Sequence, residues 1–248
     1  MKKTILYLIV IFTISIQSCK VDKTNPKVKE GEIDGLNYVE GTLDEALAIA
    51  NEEGKYLFVV SVLEGCNACD NFLVKPTLND RLKEELSDHY LIYKCDFLRR
   101  ENRYLSWIFN SVASPTGFVF SPESKLINIV LPNEAPKVIH QALELGRKGT
   151  VVNSKFSKRI SLVGKDAVIF FNQVFQAQQL IDKGGMEGLR EAYFLLRKSI
   201  ATESYFYNNY LCAQVAKRLE LYDDTRHYMK QVDELDGDYN RRLYNELY

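Results

Sequence analysis

Two hydrophobic patterns divide this chain: short continuous apolar runs, and longer stretches in which apolar residues return every three or four positions. Tyr56 to Leu63 is an apolar run with β-branched Val59, Val60 and Val62, closed by Glu64-Gly65. It predicts a strand buried on both faces, in the middle of a mostly parallel sheet. Tyr90 to Cys95 predicts another strand, with Leu91, Tyr93 and Cys95 on one face. Gly117–Phe120 and Leu126–Val130 flank Ser121-Pro122-Glu123-Ser124, which predicts an antiparallel hairpin. The helical pattern fills the intervals. Thr42-Leu43-Asp44-Glu45 is a capping box, Leu43, Ala46, Leu47 and Ala50 share a face, and Gly54 stops the helix. A short helix over Asp70–Lys75 meets Pro76, and Asn79 caps a segment with Leu82 and Leu86 inward. Arg99–Asn110 would bury Leu105, Ile108 and Phe109, and Pro136–Arg147 is amphipathic up to Gly149. Over residues 39–148 the order is α, β, α, β, α, β, β, α.

The last third has only the helical period. After a polar, basic linker over 149–163, helices are expected at Asp166–Lys183, Glu187–Ala201, Ser204–Glu220 and Tyr222–Leu235, forming a small all-α domain over 164–248. Leu189, Ala192 and Leu195 recur 33 residues later as Tyr222, Thr225 and Tyr228. That period and the paired helices resemble a degenerate tetratricopeptide unit. The aromatic stretch Tyr205-Phe206-Tyr207 and Asn208-Asn209-Tyr210 is expected to pack between helices rather than line a groove.

The N-terminus sets the compartment. Lys2 and Lys3 precede a short apolar core, Ile5 to Ile16, which is a secretory signal over 1–18 rather than a membrane span. The small residue Ser18 before Cys19 resembles the lipobox of bacterial lipoproteins, which implies that Cys19 is lipidated and tethers the chain to a membrane. Residues 19–38 are polar, without periodicity, and are expected to be a flexible tether. The protein would then face the oxidising periplasm or exterior of a bacterial envelope. With 32 basic and 33 acidic residues and a net charge of −1, nothing marks a nucleic-acid binder. Aromatics at 12% exclude disorder as the default, and five unevenly spaced cysteines do not make a disulfide scaffold.

Chemistry concentrates behind the first strand. Cys66 and Cys69 follow it as Cys66-Asn67-Ala68-Cys69. Cys66 is expected where the strand gives way to a helix, where exposed N–H groups and the helix dipole stabilise a thiolate. Cys69 lies within reach one turn on. These are the working parts of a dithiol/disulfide couple.

The element order, this Cys-x-x-Cys after a central strand, and Ser114-Pro115-Thr116 before the next strand resemble the thioredoxin fold over residues 39–148. The helix leading through Glu53-Gly54-Lys55 into the strand resembles the lipoprotein and periplasmic branch of thioredoxin-like proteins. The resemblance implies a central mixed sheet flanked by helices and followed by the helical domain. It implies Cys66 as nucleophile, Cys69 as resolving thiol, and a cis bond at Pro115 facing the pair. Gly65, Ser114 and Thr116 become candidate substrate contacts, Ser114 and Pro115 offering a backbone edge to an extended peptide. Partners would be protein thiols or disulfides and a protein redox partner; no organic cofactor and no metal is required. The chain departs from thioredoxin at three places: Gly65 stands where thioredoxins have Trp, Val60 where they have a buried acid, and Asn67-Ala68 where they have Gly-Pro.

Other readings of the pair stay open: a zinc site with Cys95 and His89, an inert disulfide, or a redox-silent thioredoxin-like adaptor that binds proteins on the envelope. Cys95 and Cys212 fall within apolar patterns and read as small buried hydrophobes. His89, His140 and His227 have no catalytic partner at a recognisable spacing and read as surface or helix-end residues. Glu64 and Asp70 flank the cysteines and would oppose a thiolate.

Overall fold

The computed structural model describes residues 35–73, 78–110, 114–131, 135–151 and 160–235, with the backbone of 28–30. The signal segment, Cys19, Pro76 and most of the linker lie outside the described residues. Six strands form one mixed sheet: β1 (Val28–Glu30), β2 (Asn37–Val39), β3 (Tyr56–Val62), β4 (Tyr90–Asp96), β5 (Gly117–Phe120) and β6 (Leu126–Val130). Their order is β1-β2-β4-β3-β5-β6. The strand β3 is central, parallel to β4 from Tyr56↔Tyr90 to Val62↔Asp96, and antiparallel to β5 from Leu57↔Phe120 to Val60↔Gly117. Hairpin β5–β6 is antiparallel, as its turn residues predict.

The helices are α1 (Leu43–Glu53), α2 (Asn67–Asp70), α3 (Asp80–His89), α4 (Arg103–Ile108), α5 (Pro136–Arg147), α6 (Gly164–Lys183), α7 (Met186–Thr202), α8 (Phe206–Arg218) and α9 (Tyr222–Leu235). At α1 the Glu45 amide donates to Thr42 Oγ1 while Glu45 Oε2 accepts the Thr42 amide, the reciprocal bonds of the expected capping box. The side chain of Asn79 accepts from the Leu82 amide at 2.8 Å and starts α3.

Three expectations shift. Strand β1 and the first two residues of β2 lie in the segment 19–38 that reads as tether. Three-residue strands are too short to show an alternation, and β2 exists through its parallel pairing with β4. The helix expected over Asp70–Lys75 is instead α2, which begins at its N-cap Cys66 and ends at Asp70. Asn71 to Leu73 form turns, and Leu73 takes a left-handed φ of 61°. Helix α4 is confined to 103–108. Ahead of it, the Asp96 carboxylate accepts the Leu98 amide and its carbonyl accepts Asn102 Nδ2, closing turns that the apolar period cannot report.

Alternation along the strands sends side chains to two hydrophobic layers. Phe58, Val60, Tyr90, Ile92 and Val119 pack under α3 and α5 through Leu82, Leu86, Ile139 and Leu143. Leu57, Val59, Leu91, Cys95, Phe118 and Phe120 pack on the other face, against Leu43 and Leu47 of α1 and Ile108 of α4. The cluster on that face continues without a break into Phe170, Phe171, Phe175, Leu196 and Leu211 of the C-terminal helices. Those helices therefore cover the sheet and complete its core. Successive helices pack as neighbours from α6 to α9. Of the 33-residue recurrence, Leu189, Ala192 and Tyr228 are buried, whereas Tyr222 is 62% exposed. The aromatic stretch packs, as expected: Tyr205 and Tyr207 donate hydroxyl hydrogen bonds to the Ile108 carbonyl and to Gln178, and Tyr207 meets the Trp107 ring.

One ion pair ties α3 to α5. Glu85, 7% exposed, accepts two bonds from the Arg147 guanidinium at 2.6 and 2.9 Å. Arg147→Ala would leave the buried carboxylate without its partner and is expected to lower stability by about 2–3 kcal/mol, short of the 3–5 of a fully buried pair because the arginine is partly solvated. Urea unfolding checks this, and a loss below about 0.5 kcal/mol would mean the pair behaves as a surface bridge.

Candidate active site

Strand β3 delivers the cysteines. Its apolar side chains are held in both layers as far as Val60. The chain then leaves the sheet at Leu63 and turns through Glu64 and Gly65, both exposed. Gly65 has φ +73°, a left-handed conformation in which a Cβ is strained. The local turn accounts for glycine where the resemblance would place tryptophan. Cys66 caps α2 and is half-buried, whereas Cys69 is 4% exposed. The two are joined in a disulfide with Cα atoms 5.2 Å apart. The amide of Cys69 donates to Cys66 Sγ at 3.1 Å. With only four residues in α2, the aligned dipole expected from sequence is small, and this directed N–H is what remains to stabilise a Cys66 thiolate.

The second part comes from the segment before β5. The Ser114–Pro115 peptide bond is cis, as the resemblance implies, and Pro115 and Thr116 are buried while Ser114 is half-buried. This loop is fastened to the end of β3. Ser61 donates its amide to the Thr116 carbonyl at 2.8 Å, its Oγ accepts the Thr116 amide at 2.8 Å, and the same Oγ lies 3.3 Å from Ser114 Oγ. The structure thus brings Ser114, Pro115 and Thr116 to the strand that carries the cysteine turn. Sequence reasoning passed over Ser61; its one signal is a lone hydroxyl in an otherwise apolar run. Gly117 follows because a Cβ there would meet the Phe58 ring at 2.5 Å.

Beside Cys69 opens a cleft of about 580 Å³, at the ends of β2, β3 and β4, bordered by Val62, Leu63, Tyr93, Lys94, Asp96 and Arg99. Val60, where thioredoxin has its acid, lies in the layer under α3 and α5 at 2% exposure, and is a core residue here. Glu64 is exposed. The Asp70 side chain lies outside what is described.

The other thiols among the described residues are enclosed in the core. Cys95 and Cys212 are fully buried, and burial pushes both thiols up to about 12. His89 and His140 are half-buried at the surface and His227 is exposed, as their spacing predicts. An unfolded thiol ionises near about 8.5, so the stabilisation from keeping these two protonated is complete below that pH and is lost as pH rises toward the folded value. Tyr90 and Tyr93, raised by burial, act in the same direction. The expected result is a urea midpoint that falls steadily above about pH 9, together with iodoacetamide labelling of reduced protein that reaches Cys95 and Cys212 only after unfolding. Labelling of either in the native state would contradict their burial.

Sheet order, a Cys-x-x-Cys disulfide at the end of the central strand and a cis-proline loop fastened to that strand define a thioredoxin-like fold carrying a dithiol/disulfide couple. No protein-family model and no curated protein matches the chain. Among solved structures, a putative disulphide-isomerase from Bacteroides thetaiotaomicron is similar over 48% of this chain and 98% of its own, at 21% identity and a TM-score of 0.41. A thioredoxin from Thermus thermophilus is similar over 44% of this chain and 85% of its own, at 16% identity and a TM-score of 0.39. A disulphide isomerase from Xylella fastidiosa Temecula1 is similar over 41% and 86%, at 19% identity and a TM-score of 0.33. The class rests on the topology and the site themselves.

Proposed function

We propose that this protein carries out thiol–disulfide exchange on extracytoplasmic proteins, held at a bacterial envelope by a lipid anchor on Cys19. The observation that carries the reading is the asymmetry of the pair: Cys66 half-buried at the turn, Cys69 buried behind it, on the strand to which the cis-proline loop is fastened. In the reducing direction the Cys66 thiolate attacks a substrate disulfide, forming a Cys66–substrate bond and expelling one substrate thiolate, which takes a proton from water. Cys69 gives up its proton and attacks Cys66 Sγ. The second substrate thiolate leaves, and two electrons have passed to the substrate. A dithiol protein partner restores the pair, and the oxidising direction is the reverse. Gly65, Ser114 and Thr116 border the path of the substrate backbone.

The Lys2-Lys3 segment, the apolar core after it and Ser18-Cys19 support the envelope location. Phe194 and Tyr222, 66% and 62% exposed on α7 and α9, support a partner-recruiting role for the paired helices, in the manner of a tetratricopeptide unit. The deciding experiment is equilibration of Cys66/Cys69 against glutathione redox buffers, read by thiol-alkylation mass shift. A two-electron transition within about −270 to −120 mV is the expected result. A pair that never opens without denaturant would sink exchange and leave a redox-silent adaptor.

A further inference from the structure

We infer that Ser61 is a positioning residue that sets the Ser114–Thr116 loop for peptide substrates, an inference that rests on the exchange reading above. The β3–β5 ladder ends at Val60↔Gly117, one residue short of the loop. Pro115 has no N–H with which to extend it. Ser61 takes over from there. It lies next to the end of β3, is 0% exposed, and binds both neighbours of Pro115: Thr116 through amide and hydroxyl, Ser114 through the hydroxyl. Its chain continues directly into the turn that places Cys66. One side chain therefore fixes the loop edge relative to the sulfur that substrates meet.

The chemistry of the two substrate classes separates this role from general support. A peptide disulfide uses the loop edge as well as the sulfur, so its reaction depends on the spacing between them. A small dialkyl disulfide needs only the sulfur. Without the Ser61 hydroxyl the bond from the Thr116 amide is lost and the loop edge loosens, while Cys66, Cys69 and the amide on Cys66 Sγ stay in place.

The test compares full-length wild type, Ser61→Ala and Ser61→Thr with two substrates under dithiothreitol turnover: a short peptide with one internal disulfide, and bis(2-hydroxyethyl) disulfide. In Ser61→Ala, kcat/KM for the peptide is expected to fall about tenfold, mostly through KM, the scale of one hydrogen bond. The small disulfide and the glutathione equilibrium should stay unchanged within about twofold, and Ser61→Thr, which keeps the hydroxyl, should recover most of the loss. An equal fall for both substrates, or no fall for the peptide, overturns the inference. Should Ser61→Ala fail to fold, Ser61→Val, which matches Ser61→Thr in shape but lacks the hydroxyl, is compared with Ser61→Thr in its place. The same preferential loss on the peptide is then required, and its absence overturns the inference. If wild type turns over neither substrate, exchange itself is wrong, a result distinct from an active wild type with an indifferent Ser61.

Discussion

Replacing Cys66 by serine is expected to lower disulfide turnover by more than about a thousandfold, because no other thiol among the described residues can take over the attack. Cys69 is buried behind it, and Cys95 and Cys212 are enclosed in the core with thiols held protonated. The complementary substitution has a different signature. Cys69→Ala keeps the accessible nucleophile and removes the group that releases product, so a covalent mixed disulfide with substrate should accumulate and disappear on adding reductant. Non-reducing gels distinguish the two variants. Adducts trapped by Cys66→Ala in place of Cys69→Ala would reverse the roles drawn from exposure. Unchanged turnover in Cys66→Ser would remove the exchange function altogether.

Phe109→Ala should be the most damaging single truncation away from the site, at about 3–5 kcal/mol. Phe109 is 4% exposed just after α4. Its ring stacks on Phe118 of β5 at 4.3 Å and meets Phe120, and on its other side it touches Phe171 and Phe175 of α6 at 5.9 and 6.0 Å. Removing it opens a cavity where sheet and C-terminal helices meet, and the surrounding rings are too rigid to close it. The same geometry predicts that wild type unfolds in one transition, with far-ultraviolet and near-ultraviolet circular dichroism coincident in denaturant. Two separated transitions, with Phe109→Ala moving only one, would show that the helices hold a core of their own.

Much of the protein follows from local sequence. Thr42 to Gly54 specify α1 because a capping box and a left-handed stop need only neighbouring residues. The β3 run and the cysteines after it were legible because a doubly buried strand leaves a continuous apolar signature. Pro115 stood out through its motif. Misplaced boundaries share one cause: where α2 stops at Asp70, with Asn71 Nδ2 donating to the Asn67 carbonyl, and where α4 waits until Arg103, side chains bond to nearby backbone in turns, and these bonds have no period.

The set of elements and the dithiol can be read locally, because period, caps and the Cys-x-x-Cys act over a few residues. Tertiary structure decided the rest. It made Ser61 the fastening of the proline loop, because its partners are 53 and 55 residues away and meet it only when β5 lies against β3. It left Cys66 accessible while enclosing Cys69, and it drew the C-terminal helices into the core of the sheet. A helical stripe records that a face is buried but not against what, and that choice belongs to the shapes of Phe109, Phe171 and Phe175 once they pack.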